Sequence, residues 1–490
     1  SRARQVVPRA IGEVMPRKDV SHLQDLRRRL TSQRGRGYWR SLEELAGSAE
    51  FQRYVEREFP EGASQWKANR REFLTLMGAS LALAGLSGCG GQPPEQIVPY
   101  VEQPEQLVPG KPLYFATAMT TGGVATGLLV ESHMGRPTKI EGNPKHPSVP
   151  AAFWQGSETT APGVSDIFSQ AAILTLYDPD RSQTVTRAGE ISTWDEFLTA
   201  LRPKLEGQAS IEGRGIRLLT ETITSPTLAA QIAEFRQRYP DSQWHQFEPV
   251  NRDNELAGAK LALGEFMGTH YHLDRADVIL SLDSDFLTSG PDHLRHAMEF
   301  ASRRDVQPAT NSRAEMSRLY VLESTPTLTG MKADHRLPLR AGQIEAFAIA
   351  LAERLGVSVG ESQGTELPDT TRRWLETIAA DLQNYRRQDD PGASLVIAGP
   401  SASPFVHGLV HAINRVLGNT GQTVTYSEPV EAQPVVQNES LRELVADMEA
   451  GKVDVLFILG GNPVYTSPAD LRFANALDRV PFRVRLGLYE

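Results

Sequence analysis

The chain has 490 residues, of which 40% are hydrophobic and 23% are charged, a composition that predicts an ordinary folded protein of two to four domains. Its net charge is −9, but residues 1–72 carry 16 Lys and Arg against 10 Asp and Glu, so this head is basic and the rest is acidic. The acidic body argues against a nucleic-acid partner. The single cysteine leaves this chain without the sulfur ligands of an iron–sulfur cluster or a c-type haem.

Residues 1–67 are predicted to form a polar, basic leader with short helices, and residues 68–89 an export signal. Arg70 and Arg71 precede an apolar stretch at residues 73–86 that is too short to span a bilayer, which is typical of a twin-arginine signal. A buried core helix is the alternative for this stretch. Residues 86–89 resemble a lipobox, in which the thiol of Cys89 is lipidated. The sequence leaves open whether residues 1–88 are removed.

Six prolines predict an extended tether at residues 90–112. A β-rich element follows at residues 113–165, with strands at residues 114–118, 127–132 and 138–142. The turn between the second and third of these strands contains Gly135.

From residue 166 onward, short apolar strands alternate with amphipathic helices, which predicts parallel sheets covered by helices on both faces. Strands are predicted at residues 216–220, 244–247, 276–282, 318–323, 394–399 and 453–461. Helices are predicted at residues 194–205, 225–238, 341–355 and 404–417. We expect an α/β fold with two doubly wound, Rossmann-like units. The first comprises residues 166–225 and 380–490, and the second residues 226–379.

Several motifs resemble those of the molybdopterin oxidoreductase superfamily in residue type and in order along the chain. They lie at residues 135–147 (GRPTKIEGNPKHP), 176–181 (LYDPDR), 192–196 (STWDE), 275–280 (RADVIL), 333–340 (ADHRLPLR), 418–421 (GNTG) and 460–465 (GGNPVY). With the long twin-arginine leader, they resemble the B subunits of bacterial alternative complex III, a family of quinol oxidoreductases. The resemblance covers about residues 111–490. It implies a molybdopterin-oxidoreductase-like fold, with a small β element and two Rossmann-like units.

The departures from this pattern concern the cofactor. Catalytic members bind two pterin dinucleotides at strand ends, and many ligate the metal through Cys, Ser or Asp and hold a 4Fe–4S cluster through four cysteines. Here Asp283 and Asp285 follow a strand where the superfamily has a Gly-Asn-Pro turn, and carboxylates repel a pyrophosphate. The segment after Glu323 lacks the paired arginines of a dinucleotide site. We therefore expect a cofactor-free fold without catalytic, cofactor-binding or metal-ligating residues on this chain.

Three histidine pairs have spacings that could ligate a metal ion. They are His270 and His272, His293 and His296, and His407 and His411. No cysteine accompanies any of them, and the prediction is that they are surface or packing histidines. The glycine-rich strand end at residues 460–463 is likewise predicted to be a tight turn, because it lacks the GxGxxG pattern.

These features predict a non-catalytic structural subunit of a membrane-bound quinol oxidoreductase, held on the periplasmic face of the cytoplasmic membrane by a lipid on Cys89. The resemblance implies three partners: multihaem cytochrome c subunits, an iron–sulfur module, and a multi-helix quinol-binding membrane subunit. The iron–sulfur clusters and c-type haems are expected on these partners. It also implies that related subunits continue past Glu490, in the same chain or in a second one.

Two alternatives remain open at this point. One is an active molybdenum or tungsten oxidoreductase whose metal has a non-protein ligand. The other is a lipid-anchored periplasmic solute-binding protein, which also has two α/β lobes.

Overall fold

The structure is a computed structural model that describes residue 49 and residues 106–150, 153–155, 158–159, 163–305, 316–360, 367–384 and 392–489. The chain divides into two units, Ser1–Gln103 and Pro104–Glu490. Apart from Ala49, every described residue lies in the second unit. The predictions for the leader, for Arg70 and Arg71, for Cys89, and for the tether up to residue 105 lie outside the described residues.

The described residues form strands and helices that mostly alternate along the chain. The strands are β1 (Leu113–Thr121), β2 (Val124–His133), β3 (Arg136–Gly142), β4 (Trp154–Gln155), β5 (Glu158–Thr159), β6 (Val185–Arg187), β7 (Glu190–Ser192), β8 (Ile216–Thr220), β9 (Gln243–Gln246), β10 (Gly268–Tyr271), β11 (Val278–Leu282), β12 (Arg318–Glu323), β13 (His335–Pro338), β14 (Ser394–Ala398), β15 (Val424–Ser427), β16 (Val455–Leu459) and β17 (Phe482–Leu486). The α-helices are α1 (Ile167–Ala171), α2 (Trp194–Ala209), α3 (Pro226–Arg238), α4 (Asp253–Leu263), α5 (His293–Ser302), α6 (Leu328–Lys332), α7 (Ala341–Arg354), α8 (Asp369–Asn384), α9 (Pro404–Val416), α10 (Gln437–Glu449), α11 (Pro463–Thr466) and α12 (Phe473–Leu477).

The β element begins at Leu113, where the sequence predicts it. Strands β1, β2 and β3 form an antiparallel sheet in that order, with a register irregularity between Glu131 and Ser132. The tip of the β1–β2 hairpin reaches the segment that follows β8, because Thr224 Oγ1 donates to the carbonyl of Gly123 at 2.7 Å. The hairpin is thereby fixed against an α/β sheet.

Two four-stranded sheets form the α/β part, and all their strands run parallel, as predicted. The host sheet has the order β17-β16-β8-β9, and the inserted sheet has the order β13-β12-β11-β14. Strands β11 to β14 all lie between β9 and β16 in the sequence, so one sheet is an insertion within the chain of the other.

The division of strands between the units differs from the prediction at two places. Strand β9 falls in the predicted second unit but pairs with β8 in the host sheet. Strand β14 falls in the predicted first unit but pairs with β11 in the inserted sheet. Both are short apolar strands, and periodicity identifies such strands without showing which sheet they join. The unit boundaries predicted at residues 226 and 380 therefore do not match the pairing.

The strands on either side of β11 and β8 enclose a buried centre in each sheet, and side chains that alternate along these strands pack on opposite faces. On β11, Val278, Leu280 and Leu282 pack with helices α7, α8 and α9. Ile279 points to the opposite face and joins a separate cluster with Phe300 of α5. Burying a side chain of this kind contributes about 1.5 to 3 kcal/mol to the free energy of folding. The near-continuous apolar strands therefore stabilise the centre of each sheet. Within the described residues, no helix has both the length and the apolarity that crossing a bilayer requires.

Candidate functional site

Each sheet has a point where the strand order reverses, and doubly wound folds bind ligands at the carboxyl ends of the strands there. In the inserted sheet this point lies between β11 and β14, and in the host sheet between β8 and β16. The residues that follow these strands are Asp283 and Gly399 in the inserted sheet, and Glu221 and Gly460 in the host sheet. An acidic residue therefore faces a glycine at both reversal points.

The glycines at these two points are required by close approaches. A Cβ on Gly399 would lie 1.9 Å from the carbonyl oxygen of Asp283, so only glycine fits without a backbone shift. Gly460 has a φ of +80°, and a Cβ there would lie 2.7 Å from Oε2 of Glu221. The spaces beside both glycines are thus already occupied by the acidic residues of the neighbouring strands.

The loop after β12 directs its main-chain amides at carboxylates of this chain. Ser324 N donates to Asp283 Oδ1 at 3.0 Å. Thr327 N donates to Glu323 Oε2 at 3.2 Å, and Thr329 N donates to Asp285 Oδ1 at 3.0 Å. Free amides of such a loop are the groups that cradle a phosphate in parallel α/β folds. Here three of them are engaged by the protein's own anions.

Glu323 is the most deeply buried of these carboxylates, at 1% exposure. It accepts a hydrogen bond from Thr327 Oγ1 at 2.7 Å and pairs with the guanidinium of Arg336. A Cβ on Gly330 would lie 2.0 Å from its Oε1, so this glycine leaves room for the carboxylate. The carboxylate is fixed from three directions.

Asp285 is held in its ionised form by Thr288 of its own loop and by Thr329 at the start of α6. Burial alone raises the pKa of this carboxyl, but hydrogen bonds from Thr288 and Thr329 outweigh burial and hold the pKa below its ordinary value. Thr329 Oγ1 donates to Asp285 Oδ1 at 2.6 Å. The inserted sheet therefore ends in a built-in negative charge.

The edge of the host sheet is also acidic. Burial raises the pKa of Glu248, and the charge of Glu221 raises it further. Gln437 connects the two loops at this edge, because its Oε1 accepts from Glu248 N at 2.7 Å and its Nε2 donates to Thr222 Oγ1 at 2.8 Å. An anionic ligand at this edge would lie close to the carboxyl groups of Glu221 and Glu248.

The structure also contains a cavity of about 530 Å³. It is bounded by the start of β2, by the segment at residues 143–150, by β10 and the turn after it, by α5, and by Thr425 of β15. Its titratable lining residues are His270, His272, Asp274, Arg275, Asp292, Arg295 and Glu299. The cavity thus combines imidazole, carboxylate and guanidinium groups.

Arg295 connects the acidic groups on α5. Its Nη1 donates to Glu299 Oε1 at 2.8 Å and its Nη2 donates to Asp292 Oδ2 at 2.9 Å. Burial alone raises the pKa of Asp292, but His270 and Arg295 hold it well below its usual range. For Glu299, burial dominates over Arg295 and raises the pKa.

Of the three histidine pairs singled out in the sequence, one contributes to a potential metal-binding set in the described residues. His272, Asp274 and Glu299 each place one donor atom within 4.8 Å of the others. Burial, with Arg275 and Arg295, lowers the pKa of His272, which favours the neutral imidazole that metals bind. No sequence signal pointed to Glu299, because this residue comes 25 positions after Asp274 and lies on a different element, helix α5.

The other two pairs have different surroundings. His293 Nδ1 lies 2.8 Å from the carbonyl of Gly290, and His296 is buried. His407 and His411 are buried on α9, where burial lowers the pKa of each to about 4. Their role in packing stays a prediction.

The GNTG motif at residues 418–421 ties a helix end to a sheet. Asn419 Oδ1 accepts from Ser394 Oγ at 3.0 Å, and its Nδ2 donates to Asn414 Oδ1 at 2.8 Å. Asn414 in turn bonds both main-chain groups of Val396 on β14. This buried network fixes the end of α9 against the inserted sheet.

Comparison with known proteins gives one curated relative. No family model matches the chain. The chain is 22% identical, over 419 residues, to the "Menaquinone reductase, molybdopterin-binding-like subunit" of Nitratidesulfovibrio vulgaris (strain Hildenborough). This chain is similar to a molybdopterin-binding-like subunit of a quinone-linked reductase. The predicted resemblance is thereby confirmed at this level. The alignment covers 77% of this chain but about half, 56%, of the relative.

The solved structures that are similar to this chain include two with low TM-scores. Acetylene hydratase from Pelobacter acetylenicus aligns with a TM-score of 0.48 and 14% identity, covering 76% of this chain and 58% of that one. The formyltransferase/hydrolase complex FhcABCD from Methylorubrum extorquens aligns with a TM-score of 0.33 and 15% identity, covering 58% of this chain and 78% of that one.

The two sheet edges can be tested against the pterin dinucleotide that the superfamily resemblance implies. Its pyrophosphate needs free main-chain donors and no competing negative charge at the strand ends. At the inserted sheet the amides of Ser324, Thr327 and Thr329 already bind carboxylates. At the host sheet Glu221 lies beside the glycine turn. The residues present do not fit this group at either edge.

Proposed function

We propose that this chain is a non-catalytic structural subunit of a membrane-bound quinol oxidoreductase of the alternative complex III type. Its task is to hold electron-carrying partner subunits in place, and it carries no redox cofactor itself. The observation that carries this proposal is the set of carboxylates that occupy both sheet edges, led by the buried Glu323.

The chemistry at the edges supports a structural function over an active molybdenum or tungsten site. A dinucleotide would have to displace Asp283 from Ser324 N, and this carboxylate would then lie unpaired beside the phosphates. An unpaired carboxylate next to a phosphate is unfavourable at the low effective dielectric of a strand end. The hydrogen bonds at the inserted edge instead hold the segments after β11 and β12 together.

The comparison supports the membership in a quinone-linked complex. The curated relative is named a subunit of a menaquinone reductase and is called molybdopterin-binding-like. Because this chain spans about half of that relative, its partners are part of the proposal. We expect multihaem cytochrome c subunits, an iron–sulfur module and a multi-helix quinol-binding membrane subunit.

The location completes the proposal. The twin arginines at Arg70 and Arg71 direct export, and a lipid on Cys89 anchors the chain on the periplasmic face of the cytoplasmic membrane. The acidic body of the chain suits docking of a basic electron carrier.

The test is purification of the tagged, full-length chain from its native membranes in mild detergent. We expect cytochrome c and iron–sulfur subunits and a membrane subunit to co-purify in fixed ratio, with haem and iron but no stoichiometric molybdenum or tungsten. Migration of the chain alone would contradict the scaffold function. Stoichiometric molybdenum or tungsten with pterin on this chain would instead support the catalytic alternative, and a solute-induced rise in melting temperature would support the solute-binding one.

A further inference from the structure

The cavity bounded by β2, β10 and α5 contains donor groups that the proposed function does not use. We propose that His272, Asp274 and Glu299 bind one divalent transition-metal ion, and that zinc is the ion their donors suit. Imidazole favours zinc, copper, iron and nickel, whereas magnesium and calcium prefer sites made of oxygen alone. This inference departs from the sequence prediction that no residue of the chain ligates a metal, and it is independent of the proposed function.

The distances allow a common ion. One donor atom from each residue lies within 4.8 Å of the other two. Zinc bonds nitrogen and oxygen at about 2.0 to 2.2 Å in a tetrahedral arrangement, so neighbouring donors stand about 3.4 Å apart. Side-chain rotations that close the donor separations by up to about 1.4 Å complete the site.

Asp274 supplies the second observation that points to a ligand. In the described structure its Oδ1 is buried and has no hydrogen-bond partner. A buried carboxylate oxygen without a partner costs free energy, whereas most buried polar atoms are satisfied. A cation between Asp274, His272 and Glu299 removes this cost directly.

The other two ligands are held in position by neighbouring groups. Glu299 is 3% exposed, and its Oε2 accepts from Leu273 N at 2.9 Å. His272 Nε2 lies 2.9 Å from Thr425 Oγ1, a contact that orients the ring. Partners of this kind orient the ligands of protein metal sites and raise their affinity.

Arg295 sets the strength of the site. It shares Glu299 and also binds Asp292, so it neutralises part of the local negative charge. We therefore expect a zinc affinity below that of a structural zinc finger. Three protein ligands also leave at least one coordination position for water or for a ligand in the cavity.

The experiment uses the purified full-length chain, stripped with chelator and titrated with zinc chloride by calorimetry, with bound zinc counted after gel filtration. We expect one zinc ion per chain. Asp274→Asn and His272→Gln should each weaken binding by at least about tenfold. His270→Gln is the matched control, because this residue lines the same cavity but is outside the donor set, and its affinity should stay within about threefold of the unaltered chain.

The melting temperature of each variant without zinc shows whether it is folded, and the zinc-induced rise in melting temperature gives a second readout that a packing role would not produce. If the unaltered chain has no saturable zinc binding, the proposal is wrong. It is also wrong if folded Asp274→Asn binds zinc as tightly as the unaltered chain does. Equal binding of magnesium and zinc would contradict the assignment to a transition metal.

Discussion

Ser324 N donates to Asp283 Oδ1 at 3.0 Å, so the residue that follows β12 is tied to the residue that follows β11. Because the carboxylate belongs to the same chain, the amide needs no external anion to satisfy it. An anion in solution would have to compete with a group that is always present at the strand end. The loop is therefore complete without a ligand.

The first prediction concerns the buried carboxylate of the inserted sheet. Glu323→Gln should lower the free energy of unfolding by about 2 to 3 kcal/mol, because it removes the charge that Arg336 and the Thr327 groups bind. The matched control is Glu376→Gln, whose exposed pair with Arg354 is worth about 1 kcal/mol or less. Denaturant unfolding measures both variants, and equal effects would contradict the structural role of Glu323.

The second prediction concerns the close approach at the reversal point of the inserted sheet. Gly399→Ala should destabilise the protein by about 3 kcal/mol or more, because its Cβ would overlap the main chain of Asp283. Gly342→Ala in α7 meets no atom within 4 Å and should instead stabilise the helix by about 0.5 to 1 kcal/mol. Thermal or denaturant unfolding distinguishes the two, and tolerance of Gly399→Ala would show that the loop after β11 is not fixed.

The third prediction is a pH dependence from a buried histidine. Burial lowers the pKa of His407 from 6.5 to about 4 in the folded state. The unfolded chain therefore binds more protons between these values, so stability is full above pH 6.5 and is lost as the pH falls toward 4. His407 should account for about 2 kcal/mol of loss between about pH 7 and about pH 5.

The measurement compares denaturant unfolding of the unaltered chain and of His407→Gln at both pH values. The variant should have the flatter pH profile, whatever its absolute stability. His411, one turn along α9, also has a pKa of about 4 for the same reason and retains its own share of the dependence. An unchanged profile in His407→Gln would contradict the buried, neutral histidine.

The fourth prediction concerns the anchor. Mass spectrometry of the chain from native membranes should find Cys89 as the N-terminal residue carrying lipid, and Cys89→Ser should abolish this species. Ser87→Ala is a control within the same motif that keeps the thiol. An unmodified thiol at Cys89, still preceded by Gly88, would contradict lipidation.

The local elements could be predicted from the sequence because each carries its own signal. Thr193 caps α2 through a capping box with Glu196, and Pro226 opens α3, both as the residue types suggest. The charged loop after β11 could likewise be recognised from Asp283 and Asp285. The hydrogen-bond partners of these carboxylates could not be predicted, because they come from the segment after β12.

The cavity was beyond sequence reasoning for the same physical reason. His272 and Asp274 are close in sequence, but Glu299 and Thr425 come from a helix and a strand that only tertiary packing brings to them. Which sheet each strand joins is also decided by tertiary contacts, because β9 pairs with β8 and β14 pairs with β11. Local periodicity in the sequence contains no information on such tertiary contacts.

The insertion of one sheet within the chain of the other has a consequence for the order of assembly. Ile216 of β8 pairs with Val455 of β16, and every strand of the inserted sheet is synthesised between them. During synthesis the inserted sheet can collapse on its own helices while β8, which pairs with β9 on one side, still lacks β16 on the other. Closing so long a loop is slow, so the host sheet is the part of this molecule that exposes unpaired strand edges longest and depends most on protection from aggregation.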